Sequence, residues 1–143
     1  MRIELTRRGD YAVRAMVALA TADGPRPLSA RRIATAMDVP PRFLPHVLAD
    51  LNRAGLVIGV TGRSGGYRLA RRPGDITLLE VIDAVETEAT PGRCVLRGGP
   101  CDVDGRCAVH ATVAAATAAL RHELGRASLL EIARPGPRIS IAV

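Results

Sequence analysis

Residues 56–70 read Leu56-Val-Ile-Gly-Val-Thr-Gly-Arg-Ser-Gly-Gly-Tyr-Arg-Leu-Ala70, and they separate this chain from a plain bundle of helices. Two short β-prone runs, 56–60 and 66–70, flank a glycine-rich segment at 61–65. Such a segment between β-prone runs predicts a two-stranded hairpin. The sequence on both sides of the hairpin has helical patterning, so we expect a mainly α fold with one small β element.

Three helices are predicted before the hairpin. Residues 8–22 have a mostly helical spacing of apolar residues and end at an Asp-Gly-Pro turn. Ser29 is a good N-cap for the second helix. The third helix follows a Pro-Pro break and ends at Gly55, a typical C-cap residue. Because proline is tolerated only in the first helical turn, Pro45 predicts that this helix begins near Arg42 or is kinked.

The sequence after the hairpin predicts two capped helices with a long helix between them. Thr77-Leu-Leu-Glu80 is a capping box that opens the fourth helix, and Ser128-Leu-Leu-Glu131 opens a short last one. Residues 108–124 form an alanine-rich helical segment with a narrow apolar stripe, for which close packing on another helix is typical. We therefore expect a dimer seam along this stripe. It consists of Val109, Val113, Ala116, Leu120 and Leu124.

Composition favours a polyanionic partner. The chain has 143 residues, with 20 basic against 14 acidic side chains, a net charge of +6 and a pI near 10.5. No apolar run approaches the roughly 20 residues of a membrane span. Charges occur throughout residues 1–24, unlike a signal peptide. We expect a cytoplasmic protein whose thiols stay reduced and that has no membrane partner.

The order helix, helix, turn, helix, hairpin predicts a winged helix-turn-helix domain that binds double-stranded DNA. In this fold the helix after the turn enters the major groove, and the tip of the hairpin, or wing, reaches the adjacent backbone. Basic side chains occur at both places, and glycines would let the wing approach a phosphate. The candidate DNA-binding residues are Ser29, Arg31, Arg42, Phe43, His46, Arg63, Ser64, Gly65 and Arg71. A basic wing that faces an acidic protein is the alternative.

All three cysteines lie in one short segment rich in glycine and proline, Cys94-x6-Cys101-x5-Cys107. An odd number of cysteines argues against a disulfide framework and indicates metal ligands. His110 follows closely, so three thiolates and an imidazole could form a Cys3His zinc site. Thiolates also hold iron–sulfur clusters, and the residues alone leave the two metals open. Without a Gly-rich cofactor motif or a convincing acid–base pair, we predict no enzymatic activity.

These motifs together resemble the IscR/NsrR-type winged-helix regulators. The resemblance is carried by Arg8-Gly-Asp-Tyr-Ala-Val-Arg14, Leu51-Asn-Arg-Ala-Gly-Leu-Val57, the wing at 62–70 and the cysteine segment followed by a long helix. It implies a homodimer, crossed through the long helix, that binds an imperfect palindromic operator. It also implies an iron–sulfur cluster, [2Fe-2S] or [4Fe-4S], whose loss, oxidation or nitrosylation is the signal. By the resemblance, Cys94, Cys101 and Cys107 are the thiolate ligands.

The resemblance leaves two candidates for the fourth ligand, His110 and Asp10. In some relatives a histidine after the third cysteine completes the site, and in others an acidic residue of the first helix reaches across from the partner subunit. We favour Asp10, because the histidine-ligated relatives typically lack an acid there. The function that follows is an iron–sulfur-dependent DNA-binding regulator, expected to be a repressor, that senses nitric oxide, redox state or iron–sulfur status. The alternative is a winged-helix regulator with a structural or thiol-sensing zinc site.

Four parts of the chain follow from these predictions. The winged helix-turn-helix domain occupies residues 1–86, and the cysteine loop occupies 87–107. The dimerisation helix and the short last helix occupy 108–134, and a proline-containing tail follows at 135–143.

Overall fold

A computed structural model describes residues 3–22, 26–86, 107 and 109–134. Most of this part of the chain is helical, with one antiparallel hairpin and a single 3-10 turn at Pro73–Asp75, so the predicted fold class is confirmed. The elements in chain order are α1 (Arg7–Thr21), α2 (Ala30–Met37), α3 (Leu44–Arg53), β1 (Val57–Val60), β2 (Gly66–Leu69), α4 (Leu78–Val85), α5 (His110–Arg126) and α6 (Leu129–Ala133).

Local capping sets where most of these helices begin. The Ser29 hydroxyl accepts a hydrogen bond from the Arg32 backbone N–H at 3.2 Å, as its N-cap prediction requires. Both predicted capping boxes, at Thr77 and Ser128, are formed. The third helix has no side-chain cap and begins at Leu44, slightly later than the predicted start near Arg42. Pro45 is then in the first turn, where it needs no hydrogen-bond partner and imposes no kink.

The core of the described residues is aliphatic. α1 lies at its centre and contacts α2, α3, α4 and α6. No polar or charged residue of the described part is buried, and no aromatic residue is among the buried core residues. The largest fully buried side chains are Met16, Ile33, Leu44, Leu48, Leu51, Leu56, Ile76 and Leu129. The helix-turn-helix is therefore held on α1 and α4 by aliphatic packing, with its polar face left outside.

The hairpin is joined to the start of α2. β1 and β2 pair with Val57 opposite Leu69 and Val60 opposite Gly66, and Leu28 pairs with Tyr67 on the other edge of β2. The two backbone hydrogen bonds between Leu28 and Tyr67 measure 2.9 and 2.8 Å. Gly66 has φ +153°, and a Cβ there would lie 2.3 Å from the Leu28 carbonyl oxygen. Only glycine allows this approach, and the approach fixes the wing relative to α2.

α5 packs against α4 at the surface of the described part of the chain. It begins at His110 and ends at Arg126, close to the predicted segment, and no residue of it is buried. The Arg121 guanidinium donates two hydrogen bonds to the Asp83 carboxylate of α4, at 2.9 and 2.8 Å. Backbone bonds from Leu78 to Ala127 and from Leu129 to Ile76 join the start of α4 to the start of α6. Among the described residues, no helix is long and apolar enough to cross a membrane.

Candidate nucleic-acid interface and cysteine site

The predicted recognition elements present their polar side chains to solvent. Arg42, Phe43 and His46 are exposed at the start of α3, while Leu44 and Val47 of the same turns are buried. Phe43 is 40% exposed to solvent. The start of α3 thus has an apolar side that holds it in the core and a polar side that is open to a partner.

The wing tip is shaped by its glycines. Gly62 has φ +106°, and the Gly65 backbone N–H donates to the Gly62 carbonyl at 3.0 Å. A Cβ on Gly65 would lie 2.3 Å from the Val60 carbonyl oxygen, so the turn closes only with glycine at this position. Arg63 and Ser64 lie exposed at the tip. The turn therefore brings a guanidinium and a hydroxyl to the far end of the hairpin.

The candidate DNA-binding cations differ in their partners. In the described part of the chain, Arg31, Arg42 and Arg63 have no carboxylate partner. Arg71 donates to Glu80 at 2.7 Å and to the Asp75 carbonyl at 2.9 Å. These bonds join the base of the wing to the start of α4. The pKa of Glu80 lies below its usual range. The main cause is the hydrogen bond from Arg71, and the next is the hydrogen bond from the Thr77 backbone N–H.

A contact that sequence reasoning missed joins α1 to the start of α3. The rings of Tyr11 and Phe43 stack with centroids 6.1 Å apart and planes at 27°. The Arg42 guanidinium carbon lies 4.8 Å from the centroid of the Phe43 ring. Tyr11 lies in the predicted first helix, 8–22, and its local sequence did not indicate Phe43 as its partner. A signal did exist in the composition, since Tyr11 and Phe43 are two of only three aromatic residues in the chain.

Cys107 is the predicted thiolate ligand that lies among the described residues. It is half-buried just before α5, and its carbonyl oxygen accepts a hydrogen bond from the His110 backbone N–H at 3.2 Å. His110 is exposed as the first residue of α5. Cys94 and Cys101 lie outside the described residues, together with most of the predicted cysteine loop and the tail. Within 3–22, 26–86, 107 and 109–134, no three His, Cys, Asp or Glu side chains are grouped as a metal site.

Asp10, the other candidate ligand, is linked to the helix-turn-helix through Arg14. It lies in the first turn of α1 with 41% of its side chain exposed, and its carboxylate accepts a hydrogen bond from Arg14 Nε at 2.8 Å. Arg14 Nη1 donates to the Met37 carbonyl at 3.2 Å. Met37 is the last residue of α2. One guanidinium therefore joins the candidate ligand to the end of α2, the helix that precedes α3.

A carboxylate that sequence reasoning also missed closes the start of α1. Glu86 Oε1 accepts hydrogen bonds from the Thr6 backbone N–H and the Thr6 hydroxyl, both at 2.8 Å. A Cβ on Gly9 would lie 2.3 Å from this oxygen, so glycine leaves the space for it. Glu86 follows α4 and is the last described residue before the cysteine loop. Glu86 therefore lies beside the first turn of α1, which also carries Asp10.

Comparison with known proteins places these features in a family. Residues 5–135 match the model of the Rrf2 family, described as "Iron-dependent Transcriptional regulator". The chain is 34% identical to the HTH-type transcriptional regulator IscR of Xenorhabdus nematophila, over 98% of this chain and 85% of the relative. It is 38% identical to the IscR of Cronobacter sakazakii, over 76% of this chain and 67% of the relative.

Solved structures agree with these sequence matches. T. potens IscR superposes with a TM-score of 0.71 at 27% identity, covering 91% of this chain and 85% of that one. CymR, the global cysteine regulator of B. subtilis, superposes with a TM-score of 0.73 at 25% identity, covering 92% and 97%. The predicted resemblance to IscR-type winged-helix regulators is confirmed.

Proposed function

The chain belongs to the Rrf2 family of transcriptional regulators, and from this premise we propose that it controls transcription through an iron–sulfur cluster. Cys94, Cys101 and Cys107 hold the cluster, completed by Asp10 or His110. A homodimer of the chain binds an imperfect palindromic operator as a repressor. Nitric oxide, a redox change or iron–sulfur status is the signal that alters operator binding.

The attachment of the cysteine loop at both of its ends carries this proposal. The loop begins after Glu86, which is bonded to Thr6 at the start of α1, and it ends at half-buried Cys107 beside the first turn of α5. The two described residues next to the loop and at its end, Glu86 and Cys107, are thus both bonded to folded elements. A change in how the thiolates are held would act on α1 and α5 directly.

The donor set fits the cluster. Three thiolates with one carboxylate or imidazole are chemically suited to iron–sulfur ligation, and a bound cluster would supply a redox-active centre. We favour Asp10 as the fourth ligand. Its carboxylate would then bind the metal and lose its hydrogen bond with Arg14. Arg14 also donates to the carbonyl of the last residue of α2. Ligation at Asp10 would therefore change the contacts of the helix-turn-helix.

A zinc site is the second candidate, and the placement of His110 favours it. The first turn of α5 places His110 close to Cys107, so three thiolates and this imidazole would make a closed tetrahedral Cys3His site. Such a site is colourless and contains no sulfide. Its role would be structural or thiol-sensing.

Anaerobic purification distinguishes the two metals. We expect the wild-type protein to be coloured and to contain iron and acid-labile sulfide, and we expect Cys107→Ala to lose the visible absorption. Asp10→Ala should change the cluster spectrum, whereas His110→Ala should leave it unchanged. His122→Ala on the exposed side of the same helix is the control for His110. Zinc without sulfide, or a full absorption band in Cys107→Ala, would overturn the iron–sulfur assignment.

Binding to duplex DNA tests the interface. A 30-base-pair duplex is selected from a random library with the wild-type protein, and affinity is measured across a salt series. Removing a phosphate contact at Arg63 should reduce the slope of log affinity against log salt by about 1. Arg42→Ala at a base edge should cost about 1–3 kcal/mol on the selected duplex. Arg126→Ala, whose guanidinium pairs with Glu123 on α5, is the control.

Support for the homodimer comes from the surface of α5. None of its 17 residues is buried in the single chain, and Leu120 retains 38% exposure. Leu130 of α6 is 44% exposed. A helix with an apolar stripe that its own chain covers only in part is typical of an interface with a second copy.

A further inference from the structure

Phe43 is one of several large apolar residues that are exposed in the described part of the chain, and it is the only aromatic one among them. Large apolar side chains are mostly buried in proteins, and no aromatic residue is among the fully buried core residues of the described part. Phe43 instead lies 40% exposed at the residue that immediately precedes α3. Its ring contacts Tyr11 of α1 at a centroid distance of 6.1 Å. Two of the three aromatic residues in the chain are therefore placed at the entrance to the recognition helix.

The Phe43 ring also orients Arg42. The guanidinium carbon lies 4.8 Å from the ring centroid, within the range of a cation–π contact. Among the described residues no carboxylate pairs with Arg42. The ring, rather than an ion pair, therefore gives this exposed cation a preferred direction, and it leaves the charge available to a polyanion.

A second contact on the same side of α1 holds the other end of α3. Arg8 Nη2 bonds Asp50 Oδ2, and Arg53 Nη1 donates to Asp50 Oδ1 at 3.0 Å. The Asp50 side chain is only 13% exposed. Arg8 and Tyr11 are three residues apart and so lie on one face of α1. This face of α1 supports α3 at both ends. Arg8 bonds Asp50 near the end of α3, and Tyr11 stacks on Phe43 at its start.

We propose that Tyr11 is a positioning residue for DNA recognition. Its ring holds Phe43, Phe43 orients Arg42, and Arg42 contacts the base edges at the start of α3. Tyr11 does not itself contact DNA in this arrangement. The inference rests on the proposed function in one respect, since it requires α3 to contact DNA.

Two substitutions separate the stack from other properties of Tyr11. Tyr11→Phe keeps the ring, and Tyr11→Leu removes it while keeping an apolar side chain. Binding is measured by fluorescence anisotropy on the selected duplex and on a scrambled duplex of the same composition. We expect Tyr11→Leu to weaken binding to the selected duplex about five- to tenfold, the size of one aromatic pair, with little change on the scrambled duplex. Tyr11→Phe should stay within about twofold of wild type, because the stack remains.

Val13→Ala is the matched control for a general loosening of α1. Val13 is partly buried against the core on the same helix and takes no part in the stack. Thermal melting is recorded for every variant. We expect Val13→Ala to lower the melting temperature without changing the ratio of the two affinities. The positioning role would be overturned if Tyr11→Leu lost affinity equally for both duplexes. It would also be overturned if Val13→Ala changed the ratio of the two affinities as much as Tyr11→Leu does.

A double-mutant cycle tests the route through Arg42. In an Arg42→Ala background, Tyr11→Leu should cause no further loss of discrimination, because the side chain that it positions is already absent. Additive losses would overturn this route. Failure of the wild-type protein to discriminate the two duplexes would contradict the proposed DNA recognition itself, and this outcome is distinct from a failure of the Tyr11 variants.

Discussion

The winged-helix part of the chain, Arg7–Val85, and the long helix α5 differ in how much of their surface their own chain covers. α1 alone has six buried residues, whereas α5, with 17 residues, has none. The winged-helix part is held by an aliphatic core, and the contacts of α5 with it include the Arg121–Asp83 pair. The winged-helix part buries its core within one chain. α5 has an apolar stripe that a second copy of the chain would cover.

Composition explains how α5 can be helical without a core. Its sequence is rich in alanine, the residue with the highest intrinsic helix propensity. α3 is the opposite case, since it has no side-chain cap and carries a proline in its first turn. Packing of four residues therefore maintains α3, and burial rather than helix propensity positions this helix. The four are Leu44, Val47, Leu48 and Leu51.

Truncation of a core leucine should have the largest effect. Leu51 is fully buried, and Leu51→Ala should lower the free energy of unfolding by about 2–5 kcal/mol through lost apolar contacts and a cavity. The free energy of unfolding is measured by urea denaturation, with circular dichroism as the signal. Leu120→Ala on α5 is the matched control and should cost less than about 1 kcal/mol when the two curves are compared at low protein concentration. Equal losses would remove the distinction between the two regions.

Substitution of Gly66 in the wing should have the next largest effect on stability. Gly66→Ala places a Cβ against the Leu28 carbonyl at a backbone conformation with positive φ, so it should cost about 1–3 kcal/mol and displace the hairpin. Thermal melting and affinity for the selected duplex both report it. Gly74→Ala is the control, because the nearest atom to its Cβ would be a leucine methyl at 3.7 Å. A Gly66→Ala protein with wild-type stability would show that the Leu28–Tyr67 pairing is dispensable.

A charge on the apolar stripe should affect assembly more than folding. Leu120→Glu should weaken self-association about tenfold or more, since burying an unpaired carboxylate is costly. Sedimentation velocity over a concentration series measures it. Ala118→Glu, two residues away on the other side of the helix, should leave association nearly unchanged. If both variants associate like wild type, the stripe is not the seam.

The smallest effect concerns Glu80, which joins the wing base to α4. Its pKa lies below the usual value of 4.5, so the folded state holds fewer protons than the unfolded state in the acid range. The stability that Glu80 contributes is present above the unfolded-state pKa and is lost as pH falls through the lower folded-state value. Glu80→Gln should flatten the acid side of the curve of unfolding free energy against pH. Asp75→Asn, whose pair with Arg72 is more exposed, is the control.

Local sequence accounted for the helix starts and the wing. The capping boxes at Thr77 and Ser128 and the Ser29 cap are contacts among neighbouring residues, so short motifs were enough to predict them. The hairpin also followed from short-range turn chemistry. Pro45 limited the start of α3 to a few residues, and packing of Leu44 then chose between them.

Contacts distant in sequence were not predictable from such motifs. Glu86 bonds Thr6 across 80 residues, and Arg8 bonds Asp50 across 42. Arg71 illustrates the same limit, since its basic side chain indicated a DNA contact but not its ion pair with Glu80. The ligand set and the DNA contacts remain predictions that the experiments above test.

The amino-acid sequence was sufficient for the class of the molecule, because caps, turns, apolar periodicity and cysteine spacing act over a few residues. That class is defined by the winged helix-turn-helix fold, the net positive charge and the clustering of the three cysteines. Folding in three dimensions decided which of the described candidate cations lack a carboxylate partner and how Tyr11 of α1 contacts Phe43 at the start of α3. These depend on which distant side chains meet around the aliphatic core, and no local pattern contains that information.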